Sequence, residues 1–248
     1  MDRALYIAAQ GANQNMNGIA LRSNNLANAQ TTGFKADMEQ ARAMQAYGGG
    51  LPTRVFAMTE RPSQNFEGGS FMTTDRPLDV AIKGEGWFAV QAGDGNEAYS
   101  RSGNLRISEG GVIENGRGEM LIGEAGPIVV PLPMEKIDIG NDGTVSVLPQ
   151  GAPANAIEVV GRIKMVNPDI REMIKGTDGL FRLKDGTDAP ESIDVKLASG
   201  VLEGSNVNAV NEMTNLISLQ RQFEMQIKMM KTVEEMDSSS SSLMSLRG

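Results

Sequence analysis

The chain has 248 residues, with 23 basic and 31 acidic side chains and a formal charge of −8, and it contains neither histidine nor cysteine. Those two absences exclude imidazole proton shuttles, the Ser-His-Asp triad, thiol nucleophiles, disulfides and the ordinary zinc, blue-copper and iron–sulfur sites. Carboxylate, lysine or hydroxyl chemistry, Mg or Ca coordination, or no chemistry at all remain open.

The acidic balance and the lack of any Lys/Arg run argue against a nucleic-acid partner. Seven Phe, three Tyr and one Trp against 29 Gly point away from one large aromatic core and toward tight turns, short strands and helices with small residues. From residue 3 to about 29, Leu5, Ala9, Ala12, Met16, Ile19, Ser23 and Leu26 step by alternating fours and threes, a heptad seam with one polar position. Such a helix would reach on the order of 40 Å. Thr31-Thr32-Gly33 is expected to end it, with Gly33 in a left-handed C′ position. The segment Met1 to Leu21 lacks the apolar stretch of a secretory signal, being interrupted by Gln10, Asn13, Gln14, Asn15 and Asn17. Nor does any segment approach the ~18 consecutive apolar residues of a membrane helix, so no direct membrane insertion is expected. The expectation is a soluble chain that stays in the cytoplasm or leaves without a cleaved signal.

Residues 36–75, with Gly48-Gly49-Gly50, Pro52 and Pro62, read as an extended connector. Residues 76–204 read as a β-rich middle domain, alternating imperfectly around Val80, Ile82, Trp87, Phe88 and Val90. Turn signals recur at Asp94-Gly95, Gly110-Gly111, Asp142-Gly143, Asp178-Gly179 and Asp185-Gly186. Gly84-Glu85-Gly86-Trp87-Phe88-Ala89 mimics a dinucleotide fingerprint, but a strand rather than a helix follows, so no dipole faces a pyrophosphate. A hairpin turn is expected there. Asp138 to Gly143 starts like a calcium loop, yet Gly140 and Pro149 occupy positions that must carry ligands; it reads as a β-turn. Asp79, Glu85, Glu97 and Glu109 offer a glycosidase-like carboxylate pair, although an acidic chain presents such pairs by chance. Lys83 and Lys164 read as solvated strand residues. No cofactor and no metal are expected.

A second long helix is expected from about Asn208 to the end, capped by Asn206 or Asn208. Val210, Met213, Leu216, Leu219, Phe223, Ile227, Met230 and Val233 give it one broad apolar face. Glu224 and Lys228 form an i, i+4 pair on its outer side, and the tract Ser238–Ser242 weakens its last part. Six methionines, Met213, Met225, Met229, Met230, Met236 and Met244, fall here, either as core filling or as an adaptable surface. Taken alone, the two helical stripes fit either two covers of one core or a seam closed by assembly.

The stretch Leu21-Arg22-Ser23-Asn24-Asn25-Leu26-Ala27-Asn28-Ala29-Gln30-Thr31-Thr32-Gly33-Phe34-Lys35 resembles the N-terminal signature of the bacterial flagellar rod and hook axial proteins. Leu202-Glu203-Gly204-Ser205-Asn206-Val207 and the helix after it resemble that family's C-terminal signature. Arg76-Pro77-Leu78-Asp79-Val80-Ala81-Ile82-Lys83-Gly84-Glu85-Gly86-Trp87-Phe88 and Tyr99 to Leu105 match its middle. The resemblance covers essentially the whole chain, weakest from about Met120 to Ser199. Its opening residues point to the proximal rod, with the distal rod as alternative.

The resemblance implies an α+β fold: paired N- and C-terminal long helices forming a coiled-coil inner domain (1–35 and 205–248), with an inserted β-rich middle domain. It implies no enzyme, but a structural, torque-transmitting rod subunit in the periplasmic part of the basal body. Its partners would be other rod proteins, copies of itself and the flagellar type III export apparatus, with export occurring without a cleaved signal. The expected assembly interface is Leu5, Ala12, Met16, Ile19, Asn24, Asn25, Leu26, Asn28, Gly33 and Phe34, together with Asn206, Met213, Leu216, Phe223, Ile227 and Met230. A carbohydrate-active β enzyme and a small-ligand module using the Gly84–Gly86 turn are the rival readings.

Overall fold

The computed structural model describes residues 2–45, 55–153 and 156–245. Met1, the Gly48-Gly49-Gly50 and Pro52 of the expected connector, and the last residues Leu246 to Gly248 lie outside the described residues. The chain divides into two compact units, one of Met1–Ala29, Ala36–Asn65 and Val207–Gly248, the other of Gln30–Lys35 and Phe66–Asn206.

The first unit holds α1 (Asp2–Ala27) and α2 (Ala209–Ser245). Neither contains proline, so nothing interrupts the i→i−4 ladder. Asn208 caps α2, its side-chain oxygen accepting from the N–H groups of Val210 and Asn211, both at 3.1 Å, which satisfies two of the orphan donors of the first turn. Helix α1 ends at Ala27, where the N–H groups of Asn28 and Ala29 bond back to the carbonyls of Asn24, Asn25 and Leu26. Gly33 therefore does not close this helix, contrary to expectation. The segment 36–75 carries an antiparallel ribbon, Asp37–Gln45 against Val55–Gln64, with a register shift between Met38 and Gln40.

The expected fold class, paired long helices as a coiled-coil inner domain around a β-rich insert, is corrected by two findings. Among the described residues there are two α-helices, and the remainder is dominated by antiparallel sheets. The heptad seam is also not the buried stripe: Leu5 and Met16 are 41% and 57% exposed, and Met213 and Ile227 51% and 44%. What α1 does cover is Ala8, Ala12, Gly18 and Asn25. The covered face of α2 passes through Glu212, Leu216, Leu219, Phe223, Gln226 and Met230, so part of the expected stripe lies on it while Val210, Met213 and Ile227 are exposed. The helices run antiparallel, with Arg22 meeting Glu212 at 3.0 Å, and an added Cβ on Gly18 would stand 3.2 Å from Leu219. Small and polar residues of α1, with the ribbon alongside, thus meet larger side chains of α2 in place of two interlocking apolar seams. The seam failed because a step of four and three fixes a period and leaves the phase open.

The second unit is antiparallel β. Its nine-stranded sheet runs in the order Met173–Lys175, Phe181–Leu183, Glu97–Ser100, Trp87–Gln91, Met120–Gly123, Ile113–Asn115, Leu105–Ile107; two short strands, Gly126–Pro127 and Met165–Val166, pair beside this path. A three-stranded sheet joins Met134–Ile139, Thr144–Pro149 and Glu158–Arg162. Strand Trp87–Gln91 is covered on both faces, which explains its continuous apolar run. Phe88 and Val90 enter the main core with Ile113, Leu121 and Ile163, while Trp87 and Ala89 enter a smaller one with Tyr99, Met173 and Phe181.

The turns expected from Asp-Gly and Gly-Gly pairs carry glycines at positive φ, for instance 84° at Gly95 and 87° at Gly143. The Gly84–Gly86 turn is not a hairpin. Strand Val80–Lys83 pairs with Lys196–Ser199, whereas Trp87–Gln91 belongs to the large sheet, so this turn carries the chain between sheets. No helix among the described residues is long and apolar enough to cross a membrane.

Candidate assembly site

Two sets of the expected interface residues separate in the structure. On the helical unit, Leu5, Met16, Met213 and Ile227 are exposed, Ile19, Leu26, Leu216, Phe223 and Met230 are half-buried, and Ala12 is buried. Asn24 is exposed, while Asn25 has no exposure. The Asn25 amide pairs with the backbone of Asp37 in both directions, donating to its carbonyl at 2.8 Å and accepting from its N–H at 2.9 Å. It thereby satisfies the backbone at the start of the ribbon. Asn28 donates through its side chain to the Asn24 carbonyl at 2.9 Å. Gln14 donates to Glu39, a further tie between α1 and the ribbon.

The other set lies in the β unit. Gly33 has φ +68°, and its N–H donates to the Glu203 carbonyl at 2.8 Å. A Cβ there would come within 2.2 Å of the Arg101 backbone, so only glycine fits. Phe34 is buried, with the Lys175 ammonium 4.2 Å from its ring centre. Asn206 donates to the Glu67 carbonyl at 3.1 Å, and its N–H reaches the Phe34 carbonyl.

Sequence reasoning missed the group beneath that turn. Lys35 and Glu203 are each 1% exposed and Arg101 is 7%. The Glu203 carboxylate accepts from Lys35 Nζ at 2.7 Å, from Arg101 at 3.0 Å and from the Gly69 N–H at 3.1 Å. Lys35 also donates to the Glu67 carbonyl and Arg101 to that of Gly84, while the Arg101 guanidinium lies 5.4 Å from the Trp87 ring centre. Burial pulls the Lys35 ammonium below the usual lysine value, opposed by its bond to Glu203. Two cations share one carboxylate, so removing that carboxylate would strand both. Lys35 and Glu203 are separated by 168 positions, and no spacing rule connects them. The only signal was that Lys35, Arg101 and Glu203 each fall inside one of the three motif segments that carry the family resemblance.

Two of the four carboxylates weighed for catalysis, Glu97 and Asp79, are held by basic side chains. Lys164 holds both oxygens of Glu97 at 2.7 and 2.8 Å, so Lys164 is not a free outer-face lysine. Asp79 meets Arg76 at 3.3 Å. Among the described residues no group of acidic side chains is arranged to hold a metal ion. Tyr99, buried with its hydroxyl accepting from the Ala189 N–H at 2.6 Å, has its pKa pushed up to about 12 by loss of solvent.

The helices thus leave several large apolar side chains exposed, and a locked turn joins the two terminal motifs. Residues 81–147 match the family described as flagellar hook protein FlgE/F/G D1 domain, and residues 198–243 match flagellar basal body rod FlgEFG protein C-terminal. The flagellar basal-body rod protein FlgF of Escherichia coli is 42% identical over 99% of this chain and all of its own length. That of Salmonella typhimurium is 40% identical over the same shares. The flagellar basal-body rod protein FlgG of Buchnera aphidicola is 31% identical over 94% of this chain and 96% of its own. The chain belongs to the flagellar basal-body rod protein FlgF family. It is a structural component of the flagellar basal body, not an enzyme.

Proposed function

We propose that this chain is a subunit of the proximal rod, packing against copies of itself and against other axial proteins to build a shaft that transmits torque. It reaches the periplasm through the flagellar export apparatus without a cleaved signal. The observation that carries the assembly reading is the exposure of large apolar side chains on the helical unit, Leu5, Met16, Met213 and Ile227 among them. Such side chains in contiguous rows mark a surface that a partner covers. The proximal position is supported by the 42% and 40% identity with the FlgF proteins of Escherichia coli and Salmonella typhimurium, against 31% with the FlgG protein of Buchnera aphidicola.

Neighbouring subunits would cover these rows, while the Gly33 turn and its ion cluster fix the start of the β unit. Stiffness then comes from many repeated apolar contacts rather than from any single bond. Met213→Asp or Ile227→Asp places a charge on the exposed surface without entering either β core. In a flagellated strain lacking its own copy, either variant is expected to abolish completed rods and swimming. Normal rod numbers with both variants would sink the assembly reading, and basal-body density placing the chain beyond the proximal segment would sink the position.

A further inference from the structure

With no cysteine in the chain, methionine is its only readily oxidised sulfur. The described methionines differ in environment. Met165 and Met173 in the β unit are 0% and 4% exposed, whereas Met16, Met213, Met225, Met229 and Met236 on the helices are 51–63% exposed. Met225, Met229 and Met236 stand at intervals of four and seven along α2, so they share one stripe of its surface. Met230, between them in sequence, turns toward the covered side and is only half-exposed.

We propose that this exposed methionine row is a peroxide-sensitive modification site of the free subunit, and that oxidation there excludes the subunit from the rod. The proposal rests on the reading of the helical surface as an assembly face. A hydroperoxide transfers one oxygen atom to the thioether sulfur. The O–O bond breaks, an S–O bond forms, the sulfide loses two electrons to give the sulfoxide, and hydrogen peroxide leaves as water. The product is a polar, chiral group in place of a flexible apolar one. A side chain whose use is to be buried against a neighbour then carries an acceptor with no donor facing it. Once the rod has formed the row is covered and the same sulfurs are protected. The chain is therefore vulnerable only between synthesis and incorporation. Met38 and Met72 are also exposed, at 44% and 47%, but lie on strands and outside this row.

The test uses the full chain in a flagellated strain lacking its own copy, with and without sublethal hydrogen peroxide. Sulfoxide is mapped by mass spectrometry in the soluble pool and in isolated basal bodies. In the soluble pool, sulfoxide is expected at Met16, Met213, Met225, Met229 and Met236, with Met165 and Met173 unmodified. Incorporated subunits are expected to carry at least tenfold less sulfoxide at the row. A variant with all five changed to Leu keeps apolar volume, and its rod number under peroxide, read against its own untreated number, is expected to hold while the wild-type ratio falls. Incorporated subunits as oxidised at the row as the free ones would overturn the proposal, whatever the variant does. So would equal loss of rods by the leucine variant. Failure of the assembly reading is distinguishable, because Met213→Asp and Ile227→Asp would then incorporate normally in the absence of peroxide.

Discussion

In the β unit Phe88, Ile113, Leu121 and Met165 have no measurable exposure, whereas on the helices Ile217, Met213 and Met225 are 52%, 51% and 63% exposed. The same residue types are spent in opposite ways within one chain. The β unit buries its apolar residues against each other and secures its ends with a buried ion cluster. The helical unit caps α2 with Asn208 and ties its ribbon through Asn25, yet leaves many of its large apolar side chains exposed. Secondary structure can therefore form where tertiary burial is incomplete. The first pattern closes a core within the unit; the second leaves a surface that, on the proposed reading, other subunits bury.

The largest expected effect strikes the closed half. Glu203→Ala leaves Lys35 and Arg101 buried without their carboxylate and frees the Gly69 N–H. Breaking a buried pair from one side costs roughly 3–5 kcal/mol. Trp87 is the only tryptophan and lies against Arg101, so its fluorescence reports this unit selectively. Chemical denaturation followed by Trp87 emission is expected to shift to much lower denaturant. A midpoint within error of the wild type would mean that the cluster does not hold the unit shut.

A smaller effect separates the halves by pH. The Tyr99 hydroxyl has its pKa raised to about 12, so the folded state holds a proton that the unfolded chain releases near pH 10. This contribution is fully present below pH 10 and is lost as pH rises through about 12, amounting to roughly 2–3 kcal/mol. Tyr99→Phe removes it and also strands the Ala189 N–H, which costs about 1–3 kcal/mol at neutral pH. The Trp87-monitored stabilities of wild type and variant are thus expected to differ at pH 8 and to converge toward pH 12. Lys35, shifted downward by burial, works in the opposite sense below its ordinary value but does so in both proteins and cancels. Curves that stay parallel to pH 12 would contradict this role for Tyr99.

Much of the closed half was legible because its signals are local. Asp94-Gly95 and Asp142-Gly143 declare turns by chemistry that only neighbouring residues decide, and Trp87-Phe88-Ala89-Val90 declares a strand. Asn208 reads as a cap for the same reason. The destination of the Gly84–Gly86 turn was not legible, since the sheet a strand joins depends on Lys196–Ser199, far along the chain. Neither was the Lys35–Arg101–Glu203 cluster, whose members meet only after folding. On the helices the period was legible but the phase was not. Gly11 and Gly18 allow the close approach, so the contact face is marked by the absence of side chains, which an apolar-stripe count overlooks.

The smallest expected effect on the folded subunit tests the open half most directly. Ile227 is 44% exposed, whereas Phe223, four residues earlier, is half-buried on the covered side of α2. An aspartate at an exposed helix position changes stability by no more than about 0.5 kcal/mol, while a charge on a covered face meets no partner and must be desolvated. Ile227→Asp is therefore expected to leave the helical circular dichroism melt of the free subunit unchanged, and Phe223→Asp to lower it. Trp87 emission is expected to ignore both, because neither residue belongs to the β unit. If Ile227→Asp melts as early as Phe223→Asp, the exposed row already supports the isolated subunit and the contrast between the halves fails. If it melts like the wild type yet yields no rods, the row's apolar character serves contacts between subunits and not the fold of one.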